Sequence, residues 1–281
     1  MNKERDYVLG TNDEEIQRLG LQHRVWRAAV LDCWYRSGLT VGSKVIDIGA
    51  GPGYATLDLA EIVGPTGEVT AVERSSNFVE VLREACQRRA LSNVYVNELD
   101  LMTDELPGGS YDFSWCRWVV SFVSDPALLI RKISDVLRPG GRAIFYEYGH
   151  YRTWQFSPRL AIQEEFVTHV MESWRETGGK ADIGLDLPPL LAAHGLIVNS
   201  IVPRVFMVHP QDYLWQWASA FIQSGTSRLQ QLGKIDQGFV EALRSAFAAA
   251  EANPQSRMMT PLVVEIVAEK RPSDEMVLNQ R

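Results

Sequence analysis

Apolar positions along this chain keep two different periods. Between residues 12 and 37 they recur at roughly helical spacing, with Ile16, Leu19, Val25, Ala29 and Cys33 marking one side. Asn12 or Asp13 can cap that helix, acidic residues follow where the helix dipole favours them, and Gly38 marks its stop. From Lys44 the rhythm changes. KVIDIG (44–49), EVTAVE (68–73), NVYVNELD (93–100), YDFSWCRW (111–118) and RAIFYEY (142–148) predict five short strands. Residues 54–63, 76–90 and 126–137 predict the helices between them, the last ending at Arg138-Pro139-Gly140-Gly141. Such alternation means βαβ units, a parallel sheet with helices on both faces, and ligands at the carboxyl ends of the strands.

After residue 148 the pattern loosens. Residues 155–176 predict a helix carrying Phe156, Phe166 and Trp174, 177–182 a loop, and 185–194 another helix. LIVNSIV (196–202) and VFMV (205–208) read as strand, 210–251 as mostly helix, and TPLVVEIVAEK (260–270) as a final strand. Residues 271–281 read as a frayed polar tail.

Composition narrows the partners. The chain has 281 residues, 46% apolar and 22% charged, with a net charge of −7. That size buries a substantial core without disulfides. The acidic balance argues against nucleic acid or an anionic membrane surface, which need a basic face. Cys33, Cys86 and Cys116 lie far apart, so they read as reduced thiols and not as a disulfide frame or zinc site. No His/Asp/Glu cluster has ligand spacing, so no metal is expected. There is no signal-like N-terminus and no apolar run of membrane-spanning length, so a cytoplasmic location is the expectation.

The chemistry concentrates in VIDIGAGPGY (45–54). Gly49, Gly51 and Gly53 let the backbone turn sharply and approach a ligand, and the following helix offers free N–H groups. A dinucleotide turn would place its third glycine where Tyr54 stands, and a phosphate loop would need Gly-Lys-Ser/Thr. Pro52 removes a further donor. The spacing, with Asp47 two residues before Gly49, suits a ligand with a cationic amino-acid part. Glu73, at the second strand's end, can accept hydrogen bonds from ribose hydroxyls. Asp100, at the third, can accept from an adenine amino group.

VIDIGAGPG, AVERS, ELDLM, YDFSWCRWVVSFVSDP and VLRPGGRAIFYE together resemble the class I S-adenosylmethionine-dependent methyltransferases, in particular the ubiquinone/menaquinone-biosynthesis C-methyltransferase-like enzymes. The resemblance covers about residues 40–148 well and LAAHGLIV and TPLVVEIVAEK more loosely. It implies an α/β fold: a Rossmann-like, doubly wound, seven-stranded sheet, mostly parallel with the last strand antiparallel. N-terminal helices and a helical insertion would form a lid. One domain, 1–281, then divides into an N-terminal helical cover (1–40), a cofactor-binding core (41–148), a helical insertion (149–184) and the C-terminal part of the fold (185–281).

The resemblance implies S-adenosylmethionine as cofactor. By position it assigns Asp47, Gly49, Gly51 and Gly53 to the methionine part, Glu73 to the ribose, Asp100 and Leu101 to the adenine, and Arg74 to their neighbourhood. Arg117 and Trp118 fall in the segment that lines cofactor and substrate, where Arg117 departs from the small residues common in relatives. Ser121-Phe122 stands where paired histidines are frequent.

Methyl transfer needs alignment in a dry pocket, and a general base only when the acceptor must lose a proton. His150 is the leading candidate base, with Glu147, Tyr148 and Tyr151 beside it just past the fifth strand. Trp118, Phe122, Tyr148 and Tyr151 are the candidate acceptor-binding residues. The aromatic supply, with Tyr146, Trp154, Trp215 and Trp217, points to a small, apolar or flat methyl acceptor. A protein methyltransferase and a non-catalytic S-adenosylmethionine-binding protein stand as alternatives. A homodimer is left open.

Overall fold

The computed structural model describes residues 10–271. The N-terminal stretch before Gly10 lies outside them, as does the polar tail expected at 271–281 apart from its first residue. Ten strands and eight α-helices follow one another as α1 (Asp13–Arg36), β1 (Lys44–Ile48), α2 (Tyr54–Val63), β2 (Glu68–Glu73), α3 (Ser76–Arg88), β3 (Val94–Glu98), β4 (Tyr111–Arg117), α4 (Pro126–Val136) and β5 (Leu137–His150). The order continues β6 (Gln155–Ser157), α5 (Ala161–Glu176), α6 (Leu187–Ala193), β7 (Leu196–Arg204), β8 (Met207–Val208), α7 (Trp215–Gln231), α8 (Gln237–Ala252), β9 (Arg257–Met259) and β10 (Leu262–Lys270).

Seven strands form one sheet in the order β3-β2-β1-β4-β5-β10-β7. β1 to β5 run parallel, with Ile46 opposite both Thr70 and Ser114. β10 runs antiparallel to both β5 and β7. The chain order reverses beside β1, which makes the β1/β4 edge the switch point where such sheets hold ligands. Successive strand residues face opposite layers. Val45, Trp115 and Ile144 pack in one core with α1 and α2. Ile46, Cys116 and Phe145 pack in the other with Leu129, Ile133, Leu187 and Leu191 of α4 and α6. Burial on both faces is why these strands read as continuous apolar runs. All three cysteines are free and buried.

Two expectations change. Pro139-Gly140-Gly141 does not stop the chain before β5; it is an irregular stretch within it. Pairing jumps from Tyr111↔Leu137 to Phe113↔Arg142, which accommodates a proline that has no N–H to give. The helix expected from residue 155 starts only at Ala161, because Gln155–Ser157 pairs with β9 instead.

The cover is also larger than a single helical insertion. β6, β9 and β8 form a second, antiparallel sheet. It joins the segment after β5 to a second insertion between β7 and β10 that carries α7 and α8. VFMV thus contributes to the cover sheet, not to the main one.

α1 lies along the sheet and closes over it. Trp26 is enclosed by Trp118, Tyr146, Phe206 and Trp217, and Trp34 by Trp115. Tyr35 points to solvent. The helix's last turn is pinned by the buried Glu265 of β10, which accepts from Arg36 (2.6 Å), Arg204 (2.8 Å) and the Tyr146 hydroxyl (2.6 Å). Burial alone would raise the Glu265 carboxyl; these three bonds outweigh it and hold it below its usual range.

Candidate active site

At the carboxyl ends of β1, β2 and β4 a cavity of about 290 Å³ opens. Its floor is the turn after β1. Gly49, Gly51 and Gly53 all hold positive φ, at 65°, 58° and 87°. Gly49 and Gly51 line the cavity. Gly53 does not. It starts α2, and a side chain there would run into Leu82 of α3, so its role is the close approach of two helices.

Asp47 lies buried at the end of β1, where its Oδ2 accepts from the Thr56 hydroxyl at 2.6 Å. Burial pushes its carboxyl up to about 6, against the pull of Thr56 and of the nearby Arg117 charge. Glu73 closes β2. One oxygen accepts from Gly51 N, the other from Arg74 N and Ser75 N, all at 2.9 Å. It therefore ties the glycine turn to the start of α3, and burial raises its carboxyl despite these bonds. Asp100 caps its own turn through Met102 N at 2.8 Å. Asp47, Glu73, Arg74, Asp100 and Leu101, scattered over three strand ends in sequence, all line this cavity.

The opposite wall is the segment after β4. Arg117, Trp118 and Phe122 line it. Trp118 takes a left-handed backbone, φ 51°, uncommon for a bulky residue, and its N–H donates to Tyr146 O at 2.8 Å. Behind it, the fully buried Glu147 accepts from Val119 N and Val120 N (2.8 Å each) and from the Ser121 hydroxyl (2.6 Å). Burial pushes its carboxyl up to about 7. Glu147 thus fastens the wall from behind, with both oxygens engaged.

A second, small cavity of about 30 Å³ adjoins the first and shares Gln22, Trp118 and Phe122 with it. Tyr148, Tyr151, Trp154, Trp174, Trp217 and Phe221 surround it, with Met258 and Thr260. Tyr148 stacks between Trp118 (5.6 Å) and Trp174 (6.0 Å). Tyr148 and Tyr151 thus face this chamber and not the first cavity. Tyr146 and Trp215 are core residues, bonded to Glu265 and Glu251. The indole N–H groups of Trp118, Trp154 and Trp174 are buried without an acceptor.

His150 lines neither cavity. It stands half-exposed at the end of β5, 3.9 Å from Asp182. The strand runs two residues farther than its pattern suggested and carries the imidazole past the site. This corrects its expected place at the mouth.

The residues that sequence reasoning missed lie on α1. Leu19 and Gln22 roof the first cavity. Gln22 Oε1 accepts from Arg18 (2.9 Å) and from the Trp217 indole (3.0 Å), while Arg18 forks onto Glu15 at 2.6 and 2.7 Å. Tyr54 anchors this roof. Its hydroxyl donates to Ile16 O at 3.1 Å, and its ring lies where a Cβ on Gly20 would come within 2.8 Å. The signal available was the helical spacing of Glu15, Arg18 and Gln22.

A glycine turn, strand-end carboxylates at the switch point and the strand order above define a Rossmann-like, doubly wound α/β domain with its ligand cavity at the strand ends. Residues 46–145 match the family described as a methyltransferase domain. The demethylmenaquinone methyltransferase of Staphylococcus aureus is 31% identical over 146 residues, which are 52% of this chain and 58% of that protein. The chain therefore spans a little over half the length of the curated relatives it matches. Among solved structures, a geranyl diphosphate C-methyltransferase from Streptomyces coelicolor A3(2) aligns with a TM-score of 0.55 at 15% identity, covering 88% of this chain and 80% of that one. The cyclase SpnF aligns at 0.54 and 19% identity, covering 88% and 82%. These two likenesses are of fold. Among the described residues, no helix is long and apolar enough to cross a membrane, and no group of three His, Cys, Asp or Glu side chains could hold a metal.

Proposed function

We propose that this chain transfers a methyl group from S-adenosylmethionine to a small aromatic or apolar acceptor, at O, N or C. One observation carries the reading. A cavity built from the glycine turn and strand-end carboxylates adjoins, across Trp118 and Phe122, a chamber walled by aromatic rings.

The residues fit the cofactor part by part. Asp47 with the Gly49–Gly51 backbone suits the amino-acid end, Glu73 the ribose hydroxyls, and Asp100 with Leu101 the adenine. The carboxylates keep unused lone pairs for these bonds. The cofactor supplies an electrophilic methyl on sulfur; the chain's own part is to orient, desolvate and exclude water. Among the described residues the chamber's lining holds no carboxylate or imidazole. Glu147 is consumed by its clamp and His150 lies outside. The chain therefore works by alignment, on an acceptor that needs no proton removed by a side chain. The relatives act, by name, on demethylmenaquinone and geranyl diphosphate, which supports an acceptor with a large apolar part.

A protein substrate would need an open groove; the cover formed by α1, α5 and α7 disfavours it. A cytoplasmic location accords with the reduced cysteines. Calorimetry tests the reading: S-adenosylhomocysteine binds the unaltered chain, and Gly51→Val or Glu73→Ala weakens it about 100-fold, as expected for losing one or two charge-assisted hydrogen bonds. Unchanged affinity in both variants would overturn the site.

A further inference from the structure

Arg117 ends β4, and no carboxylate among the described residues forms an ion pair with it. Its guanidinium lies over the rings of Trp115 (5.9 Å) and Trp118 (5.3 Å) and lines the first cavity. One terminal nitrogen, Nη2, lies 3.4 Å from Nδ1 of His23. The other, Nη1, is shut off from solvent and has no partner. A cation so placed is costly unless something anionic meets it.

The surroundings fix which way it points. His23 Nε2 lies 3.1 Å from Asp58 Oδ2, and Arg27 forks onto the same carboxylate at 2.7 and 3.2 Å. An ionised Asp58 only accepts, so the histidine proton sits on Nε2 and the Nδ1 lone pair faces Arg117. Burial, reinforced by the Arg117 charge, lowers the His23 pKa and keeps the ring neutral. Burial likewise lowers Arg117, to about 10, which leaves it charged at neutral pH. Asp58 thus sets the tautomer, the tautomer engages Nη2, and Nη1 is left without a partner in a side chain that lines the cavity. Asp47 lines the same cavity and is electrostatically coupled to Arg117 without bonding it. A buried cation and a buried carboxylate lining one cavity form a receptor for a zwitterion.

We propose that Arg117 receives the α-carboxylate of the cofactor's amino-acid end, with Asp47 serving the α-ammonium and the His23–Asp58 pair acting as its positioning residues. This rests on reading the cavity as an S-adenosylmethionine site. A lysine would not replace the arginine, because a point charge cannot meet the carboxylate while leaning on His23 and two indoles.

The test uses the full chain and three probes in calorimetry. S-adenosylhomocysteine carries both charged groups, its decarboxylated analogue only the amine, and 5′-methylthioadenosine neither. The unaltered chain should bind the first about 30-fold more tightly than the second. Arg117→Met should remove that preference while leaving the other two probes within about twofold. Arg117→Lys should recover only part of it, and His23→Phe should lose about three- to tenfold on the first probe alone. Equal weakening of all three probes by Arg117→Met, or no weakening of the first, overturns the assignment while leaving the cofactor site standing. Failure of the unaltered chain to bind any of the three overturns the cofactor reading and this inference with it.

Discussion

The two cavities meet at Gln22, Trp118 and Phe122 and are made by different means. The larger is built from backbone turns at strand ends, with carboxylates set by the strands that carry them. The smaller is built from side chains alone, drawn from α1, the end of β5, α5, α7 and the segment after β9. The difference is one of tolerance. A turn such as Gly49–Gly53 has few solutions, because each positive φ excludes side chains. A ring-walled chamber has many, because aromatic residues can be exchanged wherever volume is kept. The cofactor side is thus the fixed half of the molecule and the chamber the half free to vary with the acceptor.

The separation can be tested by striking one side and reading the other. Phe221→Ala removes a ring packed on Trp154 and Phe166 and lying under Arg18. Its cost should be about 3–5 kcal/mol in urea unfolding, with the S-adenosylhomocysteine affinity held within about twofold. A matching loss of cofactor affinity would show that the two halves are not separable.

A smaller effect, on the cofactor side, runs with pH. Asp47 must be ionised to meet an ammonium group, and its carboxyl stands near 6 instead of 3.8. Cofactor affinity should therefore rise about tenfold between pH 5 and 7, and Asp47→Asn should flatten that rise. Stability moves the other way. A carboxyl raised in the folded state lends stability in full below its unfolded value, and this is lost as pH climbs through 6. Glu147, raised to about 7, adds to the same decline. Thermal unfolding across that range checks the sign.

The smallest effect falls where the roof meets the floor. Tyr54→Phe deletes the bond to Ile16 O and should cost about 1 kcal/mol of stability. It should weaken S-adenosylhomocysteine about threefold by loosening α1, with the chamber unaffected.

This contrast also explains what could be read from the chain before its structure. β1, β2, β4 and β5 were legible because burial on both faces writes apolar runs, and the edge strand β3 because its residues alternate. Asp47, Glu73 and Asp100 were legible because each stands at or just past the end of such a strand. The roof was not. Glu15, Arg18, Gln22 and His23 are buried polar groups satisfied by one another and by distant Asp58 and Trp217, and hydrophobic periodicity is blind to that. Tyr54 was noticed for a negative reason, as the residue that displaces a dinucleotide glycine; its positive role, bolting α1 down, depends on Gly20 leaving room for its ring. β6 and β9 were missed because strands of three residues carry no period, whereas β8 falls within VFMV, which reads as strand. His150 was misplaced because a strand's last residue is set by its partner, here Leu262 of β10, and not by its own composition.

The small sheet of the cover has a consequence for how the molecule comes into being. β6 follows directly on β5, whereas β9 precedes only the last strand, so the pair joins segments made far apart in time. Closing so large a loop gives up chain freedom before the contacts repay it. The pairings within the parallel core join segments nearer in sequence, so its closure costs less. The cover sheet is accordingly expected to gain protection later than β1 and β2 in pulse-labelled hydrogen exchange during refolding.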